Sequence, residues 1–326
     1  MKLPRRNFLH LAAGAAAVSA VSRIARAQAY PTRPVRIIVA FAAGGPTDLF
    51  ARVIAQKLQE QTGKSFYIEN VGGAGGNTGT GRAAQSAPDG YTILVTGGNI
   101  TNNSYLYNHV PYDPLKDFDA VTLGGSTPVV LAVNPSVPAL TVKELVALIR
   151  ANSGKYSYAS PGTGTPPQLV GALFQHSLNL DLVHVPFGGG GPAVGSTVAG
   201  HTPISFGAMA PAVQLIKESK LRALAVTGKT RSPTLPEIPT MAEAGFPEVE
   251  GSTWTAVVVP AGTPESIVAQ LNRMIVGSLA APDVKQSLAA IAYDPIGSSP
   301  EECTEFFKAE MAKWSKVIKE AGIKPQ

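Results

Sequence analysis

Short apolar strands alternate with amphipathic helices along this chain, and that alternation limits its fold more than any other feature. Val35 to Phe41 reads as a fully buried strand. A loop of small residues, Ala42 to Pro46, leads directly into a helix over Thr47 to Gln61. In that helix Leu49, Phe50, Val53, Ile54 and Leu58 fall at helical spacing, and Gly63 stops it. Ser65 to Glu69 is the next strand, followed by the glycine-rich run Gly72 to Gly79 and a small-residue helix to Ser86. A Pro88-Asp89-Gly90 turn then starts a strand from Tyr91 to Thr96. Such a βαβαβ unit predicts a mostly parallel sheet covered on both faces.

A second set follows. Pro128 to Val133, Tyr156 to Ala159, Leu182 to Pro186, Ile204 to Phe206 and Leu221 to Thr227 read as strands. Helices lie between them, the first opened by the capping-box pattern Thr141-Val142-Lys143-Glu144. Trp254 to Val259 returns as a strand, and two or three helices end the chain. The last of these is capped by Ser299 and Glu302, with Phe307, Met311, Trp314 and Ile318 on one face. The expected architecture is α/β with two lobes, each a mostly parallel sheet flanked by helices, joined by a hinge. Residues 30–126 with 252–326 form lobe 1, and residues 127–251 form lobe 2.

Residues 1–29 read as an export signal and not as part of the fold. Lys2, Arg5 and Arg6 form a basic start, Leu11 to Val21 is apolar, and Ala25-Arg26-Ala27 and Ala27-Gln28-Ala29 are small-x-small cleavage sites. Arg5-Arg6 fits a twin-arginine signal as well as an ordinary Sec signal. The chain carries a formal charge of +5, but Lys2, Arg5, Arg6, Arg23 and Arg26 all lie in this segment. Without these five, 22 basic residues face 22 acidic ones. A neutral mature chain lacks the basic footprint that nucleic acid requires. The single cysteine, Cys303, has no internal partner and reads as a small residue in a C-terminal helix.

Four glycine-rich loops follow strands: Ala42 to Pro46, Gly72 to Gly79, Ser160 to Thr165, and Gly188 to Gly191. Any one of them suits a tight turn. Four at strand ends within one α/β frame point to binding, because such sheets place ligands there. The junction from Phe41 to Asp48 aims free N–H groups and the positive end of a helix dipole at one point, which suits an anion. Nucleotide motifs fail on detail. Gly188 to Ala193 has no acid about 20 residues on to take a ribose, and Gly76 to Arg82 lacks the Lys-Ser/Thr of a P-loop. No G-x-S-x-G elbow or H-E-x-x-H occurs, and His109, His176, His184 and His201 have no ligand spacing. His184 alternates with apolar neighbours and reads as packed. Phe41, Asn99, Phe187 and Met209 are candidates for setting pocket size. No cofactor or metal is expected, and the pattern favours binding over turnover.

Several segments then occur in a telling order: Tyr30-Pro31-Thr32-Arg33-Pro34-Val35-Arg36, Val39 to Asp48, Glu69 to Gly76, Pro88-Asp89-Gly90-Tyr91-Thr92, Val185 to Gly190, and Leu235 to Thr240. Together with the export signal they resemble the Bug/TctC-like receptors of tripartite tricarboxylate transporters, over essentially the whole mature chain. The resemblance implies a periplasmic solute-binding protein of the type II-like two-lobe class. It would close on a small carboxylate, deliver it to a membrane permease, and act as a monomer. It also implies that Phe41 to Asp48 grips one carboxylate by backbone groups and ordered water, opposite Ser160 to Thr165 and the loop after Pro186-Phe187. The candidate ligand-binding residues are therefore Phe41, Ala42, Gly44, Gly45, Thr47, Asp48, Gly75, Asn77, Ser160, Gly162, Thr163, Gly164, Thr165, Phe187 and Gly188. The family often has proline where Ala42 or Ala43 stands, a restraint missing here. A carboxylate sensor serving a signalling partner, or a periplasmic enzyme, are the alternatives.

Overall fold

A computed structural model describes residues 30–290, 292–320 and 322–325, and the main compact unit runs from Arg33 onward. The expected export signal lies outside the described residues.

The first strand, β1 (Val35–Val39), is buried over most of its length, as its run of branched residues demands. Helix α1 (Pro46–Thr62) starts at Gly45 with Pro46 in its first turn, where the missing N–H costs nothing, and ends on Gly63 in the left-handed region. Its apolar stripe buries Phe50, Ile54 and Leu58. Then come β2 (Phe66–Asn70), α2 (Asn77–Ala84), β3 (Thr92–Thr96) and the short α3 (Asn99–Asn102).

Strand β4 (Phe118–Val133) is 16 residues long, ten more than the Pro128 to Val133 expected from the sequence. Its first part holds the small-residue run Gly124-Gly125-Ser126-Thr127, which carries no strand pattern. Those glycines instead make room for neighbouring rings. A Cβ on Gly124 would run into the Phe50 ring, and one on Gly125 into Tyr293. The chain continues through α4 (Val142–Ala151), β5 (Tyr156–Ser160), α5 (Pro166–Ser177), β6 (Leu182–Pro186), α6 (Gly190–Val198), β7 (Ile204–Ala208), α7 (Met209–Lys217) and β8 (Arg222–Val226). After a long connection come β9 (Ser252–Pro260), α8 (Glu265–Ala280), α9 (Pro282–Ala289), β10 (Asp294–Pro295) and α10 (Pro300–Glu320).

The strands form two sheets that share β4. In the first the order is β2-β1-β3-β9-β4, with β2, β1 and β3 parallel and β9 antiparallel between β3 and β4. In the second the order is β6-β5-β7-β4-β8, with β6, β5 and β7 parallel and β4 antiparallel between β7 and β8. The two sheets therefore have the same plan, although no repeat is visible in the sequence. Only β4 runs through both. β4 pairs with β9 as far as Pro128↔Ser252 and with β7 and β8 from Val129 onward.

Each sheet has its own core. Ile38, Leu94, Ile100, Trp254 and Phe307 pack around the first, and Leu131, Leu145, Tyr158, Phe174 and Phe206 around the second. Full burial of side chains of this size is worth about 1.5–3 kcal/mol each. Helix α10 joins both cores: Cys303 and Phe307 lie in the first, Trp314 and Ile318 in the second. Between them, the Glu310 carboxylate accepts from both Trp254 Nε1 (2.8 Å) and Trp314 Nε1 (2.9 Å).

Candidate functional site

The strand ends of both sheets meet over one small cavity of about 30 Å³, room for a single water. Of the residues and loops singled out from the sequence, Phe41, Gly45, Pro46, Thr47, Pro161, Thr165 and Gly190 line it. No titratable side chain is among its lining residues.

Two helix starts border it, although most of the surface it exposes is apolar. In α1 the N-cap is Gly45 and Pro46 has no N–H, which leaves the Thr47 and Asp48 amides as the orphan donors. In α6 the N-cap is Gly189, so the Gly190 and Gly191 amides play the same part before Pro192. These two ends face each other: Gly45 and Gly190 both line the cavity, and a Cβ on Gly45 would lie 3.8 Å from the Gly190 amide nitrogen. Two positive dipole ends thus converge without a carboxylate between them.

Asp48 stands behind this arrangement. Its side chain is buried, and its two oxygens accept from the Gly44 amide (3.0 Å), Arg52 Nε (2.9 Å), Arg52 Nη2 (3.1 Å) and Asn70 Nδ2 (3.0 Å). Burial pushes its carboxyl up, but these hydrogen bonds and the Arg52 charge outweigh that and hold it below the usual carboxylate range. Asn70 also bonds the Phe41 carbonyl at 3.0 Å. Asp48 therefore fixes the loop, and Gly44 (φ +86°) takes the left-handed turn that lets its amide reach back. Asn77 is likewise engaged behind the site. Its Oδ1 accepts from Asn103 Nδ2 (2.7 Å) and the Tyr112 hydroxyl (3.1 Å).

The Ser160 to Thr165 loop satisfies itself. Ser160 Oγ lies 2.7 Å from His184 Nε2 and 3.3 Å from the Gly162 amide. Thr165 Oγ1 donates to the Gly162 carbonyl at 2.6 Å, and the Gly164 amide to Gln168 Oε1 at 3.3 Å. His184 packs on the Tyr158 ring at 5.0 Å, and burial pushes its imidazole down to about 4, so it is neutral near pH 7. The packed reading of this histidine agrees with that environment.

Loops of the two halves touch around the cavity. Gly75 (φ +61°) abuts the Thr163 carbonyl so closely that a Cβ there would collide with it. Tyr107 bonds Thr163, Asn102 Nδ2 donates to the Gly164 carbonyl at 3.4 Å, and a Cβ on Gly189 would stand 3.2 Å from Ala42 Cβ. Phe187 and Gly188 lie outside the lining; the Phe187 amide bonds the Ser160 carbonyl at 3.0 Å, and Gly188 is exposed. Asn99 and Met209 are buried beside the cavity and not in its surface.

Sequence reasoning missed Gly97, Gly98, Pro166, Pro167, Ala208 and Thr253, which complete the lining. Gly97-Gly98 follows β3 and carries the same signal as the other loops. Thr253 sits inside a strand and carries none. Elsewhere, Cys303 is fully buried and its thiol is pushed up to about 12 by burial. Among the described residues no cluster of three or more His, Cys, Asp or Glu could hold a metal, and no helix is long and apolar enough to cross a membrane.

Two sheets of one plan, sharing β4 and meeting loop to loop, define the two-lobe α/β architecture of periplasmic binding proteins. Residues 50–323 match the tripartite tricarboxylate transporter family receptor, and this chain belongs to that family. The UPF0065 protein in the tcbD-tcbE intergenic region of Pseudomonas sp. (strain P51) is 38% identical, covering 92% of this chain and 89% of that one. Rpa4515 of R. palustris, solved with adipate, is similar at 33% identity and a TM-score of 0.89, over 91% of this chain and 100% of that one. MatC (Rpa3494) from Rhodopseudomonas palustris, solved with bound malate, is similar at 32% identity and a TM-score of 0.84, over 89% of this chain and 100% of that one.

Proposed function

We propose that this chain is a periplasmic receptor that captures a small organic carboxylate between its two halves and presents it to a membrane permease. The observation that carries the reading is the cavity between the starts of α1 and α6. The starts of α1 and α6, with the dipole ends they carry, both border it, and no acidic or basic side chain lines it. An anion there is stabilised by donors that cannot be titrated away. The like dipole ends also disfavour approach until an anion lies between them, which couples closure to occupancy. Relatives solved with adipate and with malate support the same chemistry.

The lobes are residues 30–126 with 252–326, and residues 127–251. Phe41, Gly45 and Thr47 contact the acid from one side and Thr165 with the loop after Phe187 from the other. Asp48, Asn77 and Ser160 hold these loops in place. Ligand pockets usually span about 300–1,000 Å³. A cavity of about 30 Å³ therefore belongs to a shut cleft that parts to admit its ligand. Transport follows if the closed form docks on the permease, after export by the N-terminal signal has brought the chain to the periplasm.

Thermal melting against a panel of acids that includes malate and adipate, each beside its amide and methyl ester, tests this. At a hundredfold excess over Kd a bound acid adds about 2.7 kcal/mol and raises Tm, while the neutral derivatives leave it unchanged. No shift across a broad panel, or equal shifts from acid and amide, would overturn the carboxylate reading.

A further inference from the structure

The β4–β9 ribbon that joins the halves carries an unexplained polar group. Thr253 is 7% exposed, lines the cavity, and its Oγ1 has no hydrogen-bond partner among the described residues. A hydroxyl buried without a partner costs about 1–3 kcal/mol, so its retention calls for a compensating role. Its position supplies one. Thr253 pairs with Thr127 at the crossing, one residue before β4 leaves β9 for the second sheet. The loop after β3 comes very close here: a Cβ on Gly97 would stand 2.9 Å from the Trp254 carbonyl oxygen and 3.9 Å from Thr47 Oγ1. Thr253 therefore belongs to the floor of the cleft, on the strand beside which the loop after β3 and the start of α1 come together.

We propose that Thr253 is a ligand-binding residue, whose hydroxyl donates to an oxygen of the captured acid or to a water held on it. This rests on the carboxylate reading and adds a contact from the hinge itself. Contacts from either half alone favour binding in an open cleft as much as a closed one. A contact from the crossing strand ties ligand position to the ribbon about which the halves move, and fixes how deep an acid can sit.

Thr127 provides an internal control. Its Oγ1 is also buried and unpartnered, on the same face of the ribbon, but Thr127 does not line the cavity. Titration calorimetry with the acid that shifts wild-type Tm most, applied to Thr253→Val, Thr253→Ser and Thr127→Val, separates the two. Thr253→Val weakens binding about tenfold, as loss of one hydrogen bond to a charged group implies, and Thr253→Ser stays within about threefold of wild type. Thr127→Val keeps wild-type affinity. Ligand-free Tm of both Val variants equals or exceeds that of wild type, because a methyl replaces a hydroxyl that had no partner. If Thr253→Val folds poorly, Thr253→Ala shows the same loss. Wild-type affinity in the hydroxyl-free Thr253 variants would overturn the proposal, as would an equal loss in Thr127→Val, which would make the ribbon's packing the cause. Should wild type bind no acid at all, the carboxylate reading itself falls and this contact with it.

Discussion

The junctions from β1 to α1 and from β5 to α5 occupy the same place in two sheets of the same plan, yet they do different work. Both run from a buried strand through a small-residue loop to a helix with proline in its first turn. In the first, one proline leaves the Thr47 and Asp48 amides free, and a buried carboxylate braces the loop from behind. In the second, Pro166 and Pro167 leave only the Gln168 amide, and the loop's hydroxyls turn inward to Gly162 and His184. One junction presents two free amides, while the other presents one behind a wall of two proline rings. In the second half, the donor end belongs to α6, after β6. A strand-loop-helix pattern therefore marks where a ligand can sit but not which loop grips it.

The difference in bracing predicts the largest effect. Asp48→Ala removes the buried acceptor that ties together the Gly44 amide, Asn70 and Arg52, and lowers unfolding free energy by about 2–3 kcal/mol. Gln168→Ala in the second junction removes one acceptor from the Gly164 amide and costs about 1–2 kcal/mol. Urea unfolding of both variants measures the pair, and a reversed order would break the contrast.

Acid separates the two junctions by pH window. His184 is pushed down to about 4 in the fold, against about 6.5 unfolded. Between those values the unfolded chain binds a proton that the native one refuses, so stability falls as pH drops from about 6.5 to 4. The loss reaches about 2–3 kcal/mol at the lower end. Asp48 acts lower. Its folded carboxyl lies below the ordinary 3.8, so its contribution is intact above that value and is lost only as pH falls further. Tm measured from pH 7 to 4 shows the first loss in wild type and a shallower slope in His184→Phe. Parallel slopes would remove His184 from the account of the second junction.

Much of this was legible in the residues, for identifiable reasons. Val35 to Val39 and Phe50, Ile54 and Leu58 announce their strand and helix by periodicity, which burial enforces directly. The anion-suited start of α1 could be read because glycine and proline fix backbone geometry locally. The first ten residues of β4 were illegible because Gly124 and Gly125 serve rings from distant elements, Phe50 and Tyr293, and such tertiary demands leave no local pattern. The roles of Asp48 and Asn77 were hidden for the same reason, since their partners Asn70 and Asn103 lie 22 and 26 residues away. Thr253 was beyond reach, because only the crossing of two strands brings it under the cleft.

The smallest effect sharpens the contrast most, because it tries to turn the wall back into a donor. Pro167 occupies the second position of α5 and lines the cavity. Pro167→Ala restores an amide where α1 has that of Thr47, and alanine suits the helix interior better than proline does. If the second junction is weak only because the amide matching that of Thr47 is missing, the variant binds the preferred acid about threefold more tightly, the low end of what one dipole-aligned donor supplies. The ring's removal also widens the cavity, which favours larger acids over smaller ones and so shows as a change in rank order across the panel. Tighter binding with unchanged rank order identifies the restored amide as the cause. Unchanged affinity for every acid would mean that the donor end of the second half lies wholly at Gly190 and Gly191, and that α5 shapes the cleft without polarising it.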